Sequence, residues 1–121
     1  AHHPTAVKYV IEATKVRYPN KPIIALFKPD RFSRIKQFAK DFADSLNLAD
    51  EVYLCHFPEN AAKEPGIDID ITEIGQYIPR AHIIKEDEEA AMELAKHHNC
   101  VYLFMSSKDI YKLQEKVIKC K

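Results

Sequence analysis

The sequence predicts an α/β domain, a three-layer Rossmann-like fold with a mostly parallel sheet and helices on both faces. Two observations carry this prediction. Short apolar runs alternate with amphipathic stretches along the whole chain, as expected of strands joined by crossover helices. The 121 residues suit one domain with a real hydrophobic core, without internal repeats or low-complexity segments.

The chain is expected to begin with a helix that leads into the first strand. Its inward-facing residues recur at helical spacing: Val7, Val10, Ile11 and Thr14. Pro4 suits the first helical position, where a missing N–H costs nothing. The turn signal Pro19-Asn20 ends this helix near residue 18. The run PIIALF, residues 22–27, then predicts a fully buried strand.

A second helix is predicted from one continuous apolar face: Ile35, Phe38, Ala39, Phe42 and Leu46. Either Ser33 or Asp30 is a candidate cap for its start. The run EVYLCHF, residues 51–57, predicts the second strand. Residues 58–70 contain two prolines, a glycine and several charges, so we expect a loop there.

The second half of the chain repeats the alternation. Residues 71–78 predict a short helix, and AHIIK, residues 81–85, predicts a weaker strand. Four acidic residues open a helix over 86–98, where they suit the positive end of the helix dipole. CVYLFM, residues 100–105, predicts a buried strand, and Asp109 is expected to cap a final amphipathic helix.

Composition excludes several classes of function. Lys and Arg together number 18, as do Asp and Glu, so the chain lacks the basic surplus that nucleic-acid binding needs. No apolar run approaches the roughly 20 residues of a membrane span, and no signal peptide is visible. The three cysteines are widely spaced without a CxxC pair, which favours buried free thiols in a reducing compartment over a zinc site.

Glycine is scarce, with only Gly66 and Gly75 in the whole chain. A phosphate-binding loop of the Walker A type needs two glycines before Lys-Ser/Thr, and a dinucleotide fingerprint needs three closely spaced ones. Neither motif is present. If the chain takes part in nucleotide chemistry, another segment must therefore hold the phosphates.

The candidate site lies at the carboxyl edge of the predicted sheet, where parallel α/β sheets bind ligands. KPDRFSR leaves the first strand at this edge and carries Arg31 and Arg34. The first helix should run antiparallel to the first strand, which would bring His2 and His3 to the same edge. Guanidinium groups there suit a carboxylate or phosphate.

Other interpretations of these residues stay open. The two arginines fit a solvated helix face equally well, and His2 with His3 also fits the remnant of a purification tag. His56 and His82 lie in or beside strands and are expected to be structural, whereas His97 and His98 end a helix, where positive charge is favoured, and are not expected to be functional.

Four short motifs, in this order, resemble the C-terminal domain of the Mur ligase family. They are AHHPT before the first helix, FKPDRFSR after the first strand, DFADSLNLADEVYL, and VYLFMSSKDI at the last strand. The resemblance covers essentially the whole chain, 1–121, and is strongest to the members that join L-alanine to UDP-N-acetylmuramate. AHHPT thus looks like the start of the third domain of a three-domain enzyme.

The resemblance implies an ATP-dependent amide-forming ligase of peptidoglycan synthesis in the bacterial cytoplasm. Its first domain would bind UDP-N-acetylmuramate, and its central domain would hold ATP and Mg²⁺. The muramate carboxylate would attack the γ-phosphate to give an acyl phosphate, whose carbonyl is then attacked by the amine of L-alanine. The third domain, represented by this chain, would close over them, help to bind the amino acid and be inactive alone.

By motif position, the family's substrate-contacting histidine falls on His2, and its two arginines fall on Arg31 and Arg34. The resemblance therefore implies substrate binding for all three and a catalytic role for both arginines. These groups would face a muramoyl carboxylate, an acyl phosphate or the carboxylate of the amino acid.

Several positions depart from the family pattern and leave the added amino acid or peptide open. Ala6 stands in place of a glutamate, Lys28 and Asp30 replace a glutamine and a histidine, and residues 106–108 replace a Gly-Ala-Gly turn. One alternative is a murein-peptide ligase of cell-wall recycling, whose opening also reads AHHPTA. Another is a stand-alone α/β module that binds a small anion at the same edge.

Overall fold

The computed structural model describes residues 3–28, 32–56, 71–85, 87–97, 99–106 and 111–120. Within these ranges a first helix is followed by strands and helices in strict alternation. The strands are β1 (Ile23–Lys28), β2 (Glu51–Cys55), β3 (His82–Ile84) and β4 (Val101–Ser106). The helices are α1 (Pro4–Arg17), α2 (Phe32–Leu46), α3 (Thr72–Gly75), α4 (Glu88–Ala95) and α5 (Tyr111–Cys120).

The four described strands form one sheet in the order β3-β2-β1-β4, and every pairing in it is parallel. The register sets Phe27 of β1 beside Leu54 of β2 on one side and beside Met105 of β4 on the other. With helices packed on both faces, this is the α/β fold class that the sequence predicts.

Alternate residues of β1 point to opposite faces, and each face has its own core. Ala25 and Phe27 pack with residues of α1, α2 and α3, including Phe42, whose ring centroid lies 4.9 Å from that of Phe27. Ile24 and Leu26 pack instead with residues of α4 and α5. β1 is therefore buried on both sides, which is why its sequence is a continuous apolar run rather than an alternating one.

Arg80 and Asp50 fix the amino end of the sheet. The guanidinium of Arg80 donates to the carbonyl oxygens of Ala49 at 2.7 Å and of Asp50 at 2.6 Å, and to both oxygens of Asn47. The carboxylate of Asp50 accepts a hydrogen bond from the backbone N–H of Ile23 at 2.7 Å. Together these hydrogen bonds give partners to the backbone carbonyl groups between α2 and β2 and hold this segment against the start of β1.

Helix boundaries follow capping chemistry where the side chains are described. Asp87 caps α4 by accepting from the N–H of Ala90 at 2.9 Å, with Glu88 and Glu89 in the first turn. The predicted acidic start of this helix is thus confirmed, and Asp87 is its N-cap residue. α2 begins at Phe32, so Ser33 lies inside its first turn and is not the residue that precedes the helix.

Two burial predictions were wrong in part. Val10 is 36% exposed, because the buried side of α1 is formed by Pro4, Val7 and Ile11. Cys100 precedes β4 and is half-buried, whereas Cys55 in the middle of the sheet is fully buried. The predicted loop over 58–70 and the predicted caps Asp30 and Asp109 lie outside the described residues.

Candidate functional site

The topology has a switch point between β1 and β4. These neighbours are paired along their whole length, from Ile23 beside Val101 to Lys28 beside Ser106. β1 continues into α2, whose Phe42 belongs to one core, while β4 continues into α5, whose Val117 belongs to the other. The helices that follow the two strands therefore pack on opposite faces of the sheet, and in open α/β sheets such a switch point, beyond the carboxyl ends of the strands, is where ligands bind.

The sequence-predicted arginines belong to one of these two connections. Arg34 lies in the first turn of α2, immediately beyond the carboxyl end of β1. Its side chain, together with Arg31 and His2, lies outside the described residues. Lys28, the last residue of β1, is half-buried at the same switch point. The described backbone thus puts one predicted residue, Arg34, at the switch point, and the roles of all three predicted residues stay predictions.

His3 is the N-cap of α1. Its backbone is extended, with φ −126° and ψ 143°, and its Nδ1 accepts from the N–H of Thr5 at 3.3 Å. The sequence contains a signal for this cap, because a residue immediately before a proline at the first helical position occupies the N-cap. The sequence analysis did not predict His3 as the cap. The ring of His3 therefore has a structural task, which distinguishes it from His2.

The first turn of α1 lies against α2. The centroid of the His3 ring is 5.7 Å from that of Phe38, and the buried hydroxyl of Ser45 donates to the carbonyl of Pro4 at 2.9 Å. Phe38 follows Arg34 by four residues, about one helical turn. His3 is therefore set about one turn along α2 from the backbone of Arg34.

α2 is not a uniform helix. Phe38 has φ −115° and ψ 18°, outside the helical region, so the segment that carries Arg34 meets the rest of the helix at a kink. The Phe38 side chain contacts His3 at this same point. The predicted site residues come from the segment before α1 and from the start of α2. His3 and Phe38 make the contact between these two parts of the chain at the kink.

A second cluster of polar rings lies at the amino ends of β2 and β3, away from the switch point. The Tyr53 hydroxyl is 2.8 Å from Nε2 of His97, and the His82 ring stacks on Tyr53 with centroids 4.8 Å apart. Nε2 of His82 lies 3.6 Å from a carboxylate oxygen of Glu51. Burial, followed by the charges of Glu51 and Glu93, raises the pKa of Tyr53.

This cluster gives His82 and His97 packing and hydrogen-bonding tasks, as expected for structural histidines. Nearby, the hydroxyl of Tyr102 donates to the carbonyl oxygens of Leu94 and His97, which closes the end of α4. Burial is the main cause that raises the pKa of Tyr102, with Cys100 adding to it. Both tyrosines therefore stay neutral at physiological pH and act as hydrogen-bonding groups.

A hollow of about 530 Å³ lies at the amino end of the sheet. Lys15, Lys21 and Asp50 are among its lining residues, and the cations of Arg17 and Lys21 lie 5.6 and 5.8 Å from the ring centroid of Tyr18. We place the candidate site at the switch point instead, because parallel α/β sheets bind ligands beyond the carboxyl ends of their strands.

The described residues do not form a metal site. Within the part of the chain that the structure describes, no group of three or more His, Cys, Asp or Glu side chains is arranged to hold a metal ion. Gly75 lies in α3, where the nearest side-chain atoms to its would-be Cβ belong to Ile83 and Leu54 at 3.6 and 3.8 Å. It is a packing glycine and not part of a phosphate-binding loop.

The comparisons with known proteins agree with the geometry. Residues 1–107 match the family described as "Mur ligase, glutamate ligase domain". The chain belongs to the Mur ligase C-terminal domain family. None of its described helices is long and apolar enough to cross a membrane.

Solved structures of Mur ligases share the fold of this domain. The UDP-N-acetylmuramate–alanine ligase of Thermotoga maritima matches over 98% of the chain at 23% identity, with a TM-score of 0.67. A murein peptide ligase of Psychrobacter arcticus matches over 99% at 15% identity, with a TM-score of 0.74. The chain spans only 25% and 26% of these two proteins.

A third solved structure is itself a separate domain. It comes from a putative UDP-N-acetylmuramate:L-alanyl-γ-D-glutamyl-diaminopimelate ligase of Haemophilus ducreyi, and it matches 98% of this chain at 22% identity, with a TM-score of 0.65. The match covers 84% of that domain. This Mur ligase domain therefore has nearly the same extent as the chain described here.

Proposed function

We propose that this chain is the C-terminal, amino-acid-binding domain of an ATP-dependent ligase that joins L-alanine to the carboxylate of UDP-N-acetylmuramate. The observation that carries the proposal is the switch point between β1 and β4, to which a Mur ligase domain delivers the Arg34 segment. The enzyme would act in the bacterial cytoplasm, and its N-terminal and central domains would be the partners of this one.

In the proposed reaction, positively charged side chains of this domain bind an anionic group of the substrate or intermediate. Arg31 and Arg34 face the muramoyl carboxylate, the acyl phosphate or the carboxylate of the incoming amino acid, and His2 contributes a further hydrogen bond. Charge on the acyl carbonyl oxygen grows as the tetrahedral intermediate forms, so a fixed guanidinium stabilises the transition state more than the ground state. ATP and Mg²⁺ would be held by the central domain, since the described residues here form no metal site.

A murein-peptide ligase of cell-wall recycling is the second candidate. Its support is the opening AHHPTA, in which Ala6 stands where the alanine-adding enzymes usually have glutamate. Ala6 is half-buried in the first turn of α1, three residues after His3. A change at that position would alter the acceptor through the neighbouring segment without altering the fold.

The deciding experiment is a phosphate-release assay on the full-length enzyme with UDP-N-acetylmuramate and Mg²⁺-ATP. We expect release that depends on L-alanine and a product whose mass corresponds to the alanine amide. Release that depends instead on L-alanyl-γ-D-glutamyl-diaminopimelate would identify the recycling ligase. If neither acceptor supports release, while another protein of the family is active under the same conditions, both candidates are wrong.

A further inference from the structure

α1 has two apolar faces on opposite sides. The inner face is formed by Pro4, Val7 and Ile11, which are buried against the core. A second set begins two residues later with the same 3-4 spacing and continues for one more interval of three: Ala6, which is half-buried, and the exposed Tyr9, Ala13 and Val16. A shift of two residues is a rotation of about 200° on a helix, so this second set, the outer stripe, faces away from the core.

The outer stripe is open to solvent. Tyr9 is 66% exposed and Val16 is 82% exposed, and Val10 beside the stripe is 36% exposed. An ordinary surface helix carries polar residues on this side, whereas here the charged residues lie to the sides of the stripe, with Glu12 on one and Arg17 on the other. A helix that is apolar on both faces is typical of one that lies between two bodies.

We propose that the outer stripe of α1 docks against the domain that precedes this one in the same polypeptide. The inference rests on the proposed function, in which this chain is the last domain of a longer enzyme. Two of the relatives of known structure, the Thermotoga maritima and Psychrobacter arcticus ligases, are about four times as long as the matched region, so most of such an enzyme would lie outside this chain. α1 is the first helix of the described residues, so its outer stripe lies on the element nearest in sequence to such a domain.

The size of the stripe favours a tethered partner over a second copy of the chain. Two large side chains and two alanines expose on the order of a few hundred Å², well below the roughly 800 Å² per partner of a stable complex. A covalently linked domain has an effective concentration of about millimolar, so a small contact is enough to hold it. Contacts between domains of one chain are accordingly small and reversible.

Thiol labelling of single cysteines tests the docking. Val16→Cys and Tyr9→Cys put probes on the stripe, and Met92→Cys, at a site 60% exposed on α4, is the matched control on the opposite face of the domain. Each variant is made in the 121-residue chain and in the polypeptide of the complete reading frame. Labelling by a maleimide is followed at each cysteine by peptide mass mapping, which separates the probes from the natural thiols.

We expect labelling at positions 9 and 16 to be at least about tenfold slower in the complete polypeptide than in the 121-residue chain, with position 92 unchanged. Equal rates in the two polypeptides overturn the proposal, as does a reading frame with no preceding domain. Slowing that grows with the concentration of the 121-residue chain would identify a second copy as the occupant instead. Labelling does not depend on turnover, so a failed ligase assay and a failed docking experiment are distinct results.

Discussion

The backbone position of Arg34 is determined by the packing of β1 and the start of α2, and not by the arginine itself. β1 is buried on both faces, its last residue pairs with Ser106, and α2 starts four residues later. Arg34 is therefore carried to the switch point by the packing of the sheet, whatever its side chain does there.

We predict that Arg34→Ala in the full-length enzyme lowers turnover at saturating substrates about a hundredfold or more, the scale for losing one preorganised donor. Arg31→Ala should act similarly, with a larger share of the effect in KM. Steady-state kinetics with each substrate varied measure both. Lys40→Ala, an exposed site on the same helix, is the control. Normal turnover of either variant would remove that arginine from the site, and a large fall in melting temperature would show that its role is structural.

The cysteines report on burial residue by residue. Cys55 is fully buried in β2, and Cys100 is half-buried ahead of β4. We predict that a thiol reagent labels Cys120 first, as the sequence position near the chain end suggests, then Cys100, and Cys55 only as the chain unfolds. Quantitative mass mapping over time gives the three rates, with the urea-unfolded chain as reference. Native labelling of Cys55 at the unfolded rate would contradict the position assigned to β2.

Among the elements, α1 and α2 are joined by one buried polar contact. The hydroxyl of Ser45 donates to the carbonyl of Pro4, and with the ring contact between His3 and Phe38 it fixes the first turn of α1. The carbonyl of Pro4 has this buried partner close to the predicted site. The contact therefore couples the stability of α1 to the placement of the opening histidines.

Ser45→Ala is expected to lower the free energy of unfolding by about 1–2 kcal/mol, because it removes a buried hydrogen bond and leaves its acceptor without this donor. Urea denaturation measures the loss, and hydrogen exchange should show faster exchange in the first half of α1. Asp44→Ala, the exposed neighbour on α2, is the control and should change stability little. A loss no larger than that of the control would mean that Ser45 does not anchor the helix.

The order and type of the elements could be predicted because they depend on local pattern. The run at 22–27 is apolar throughout, and the acidic residues before α4 mark its start, so both appear in the structure close to their predicted places. The angle at which α1 meets α2 depends on tertiary contacts such as Ser45 with Pro4, which no periodicity records. The same limit applies to Val10. Its helical spacing predicts a buried residue, but fewer apolar residues of α1 are buried than its sequence pattern predicts.

The candidate site was predictable only in part. Strand order decides where a switch point lies, and the position of β4 beside β1 depends on long-range pairing and not on any residue taken alone. The cap formed by His3 could have been inferred from the proline that follows it. The stacking of His82 on Tyr53 depends on the register between β2 and β3, which the sequence does not specify.

At the scale of the whole molecule, the core of this domain lies within the chain, while the proposed chemistry is divided among domains. The described residues form two cores, one on each face of a parallel sheet, and we expect these cores to support folding of the chain by itself. The chain has only two glycines, and Gly75 packs in α3, so no phosphate-binding loop of a known type can be built from it. Stability and catalysis should therefore separate cleanly in experiment.

We predict that the 121-residue chain unfolds in one cooperative step, yet neither hydrolyses Mg²⁺-ATP nor forms an amide bond. Far-UV circular dichroism and tyrosine absorbance, followed through the same urea titration, should give coincident transitions. Phosphate release is measured with ATP, Mg²⁺ and L-alanine, and the full-length enzyme is the positive control. Magnesium-dependent hydrolysis by the short chain, at a specific activity that survives a further purification step, would show that the nucleotide site is built from residues of this domain. Non-coincident transitions would show that the two cores on either side of the sheet unfold separately.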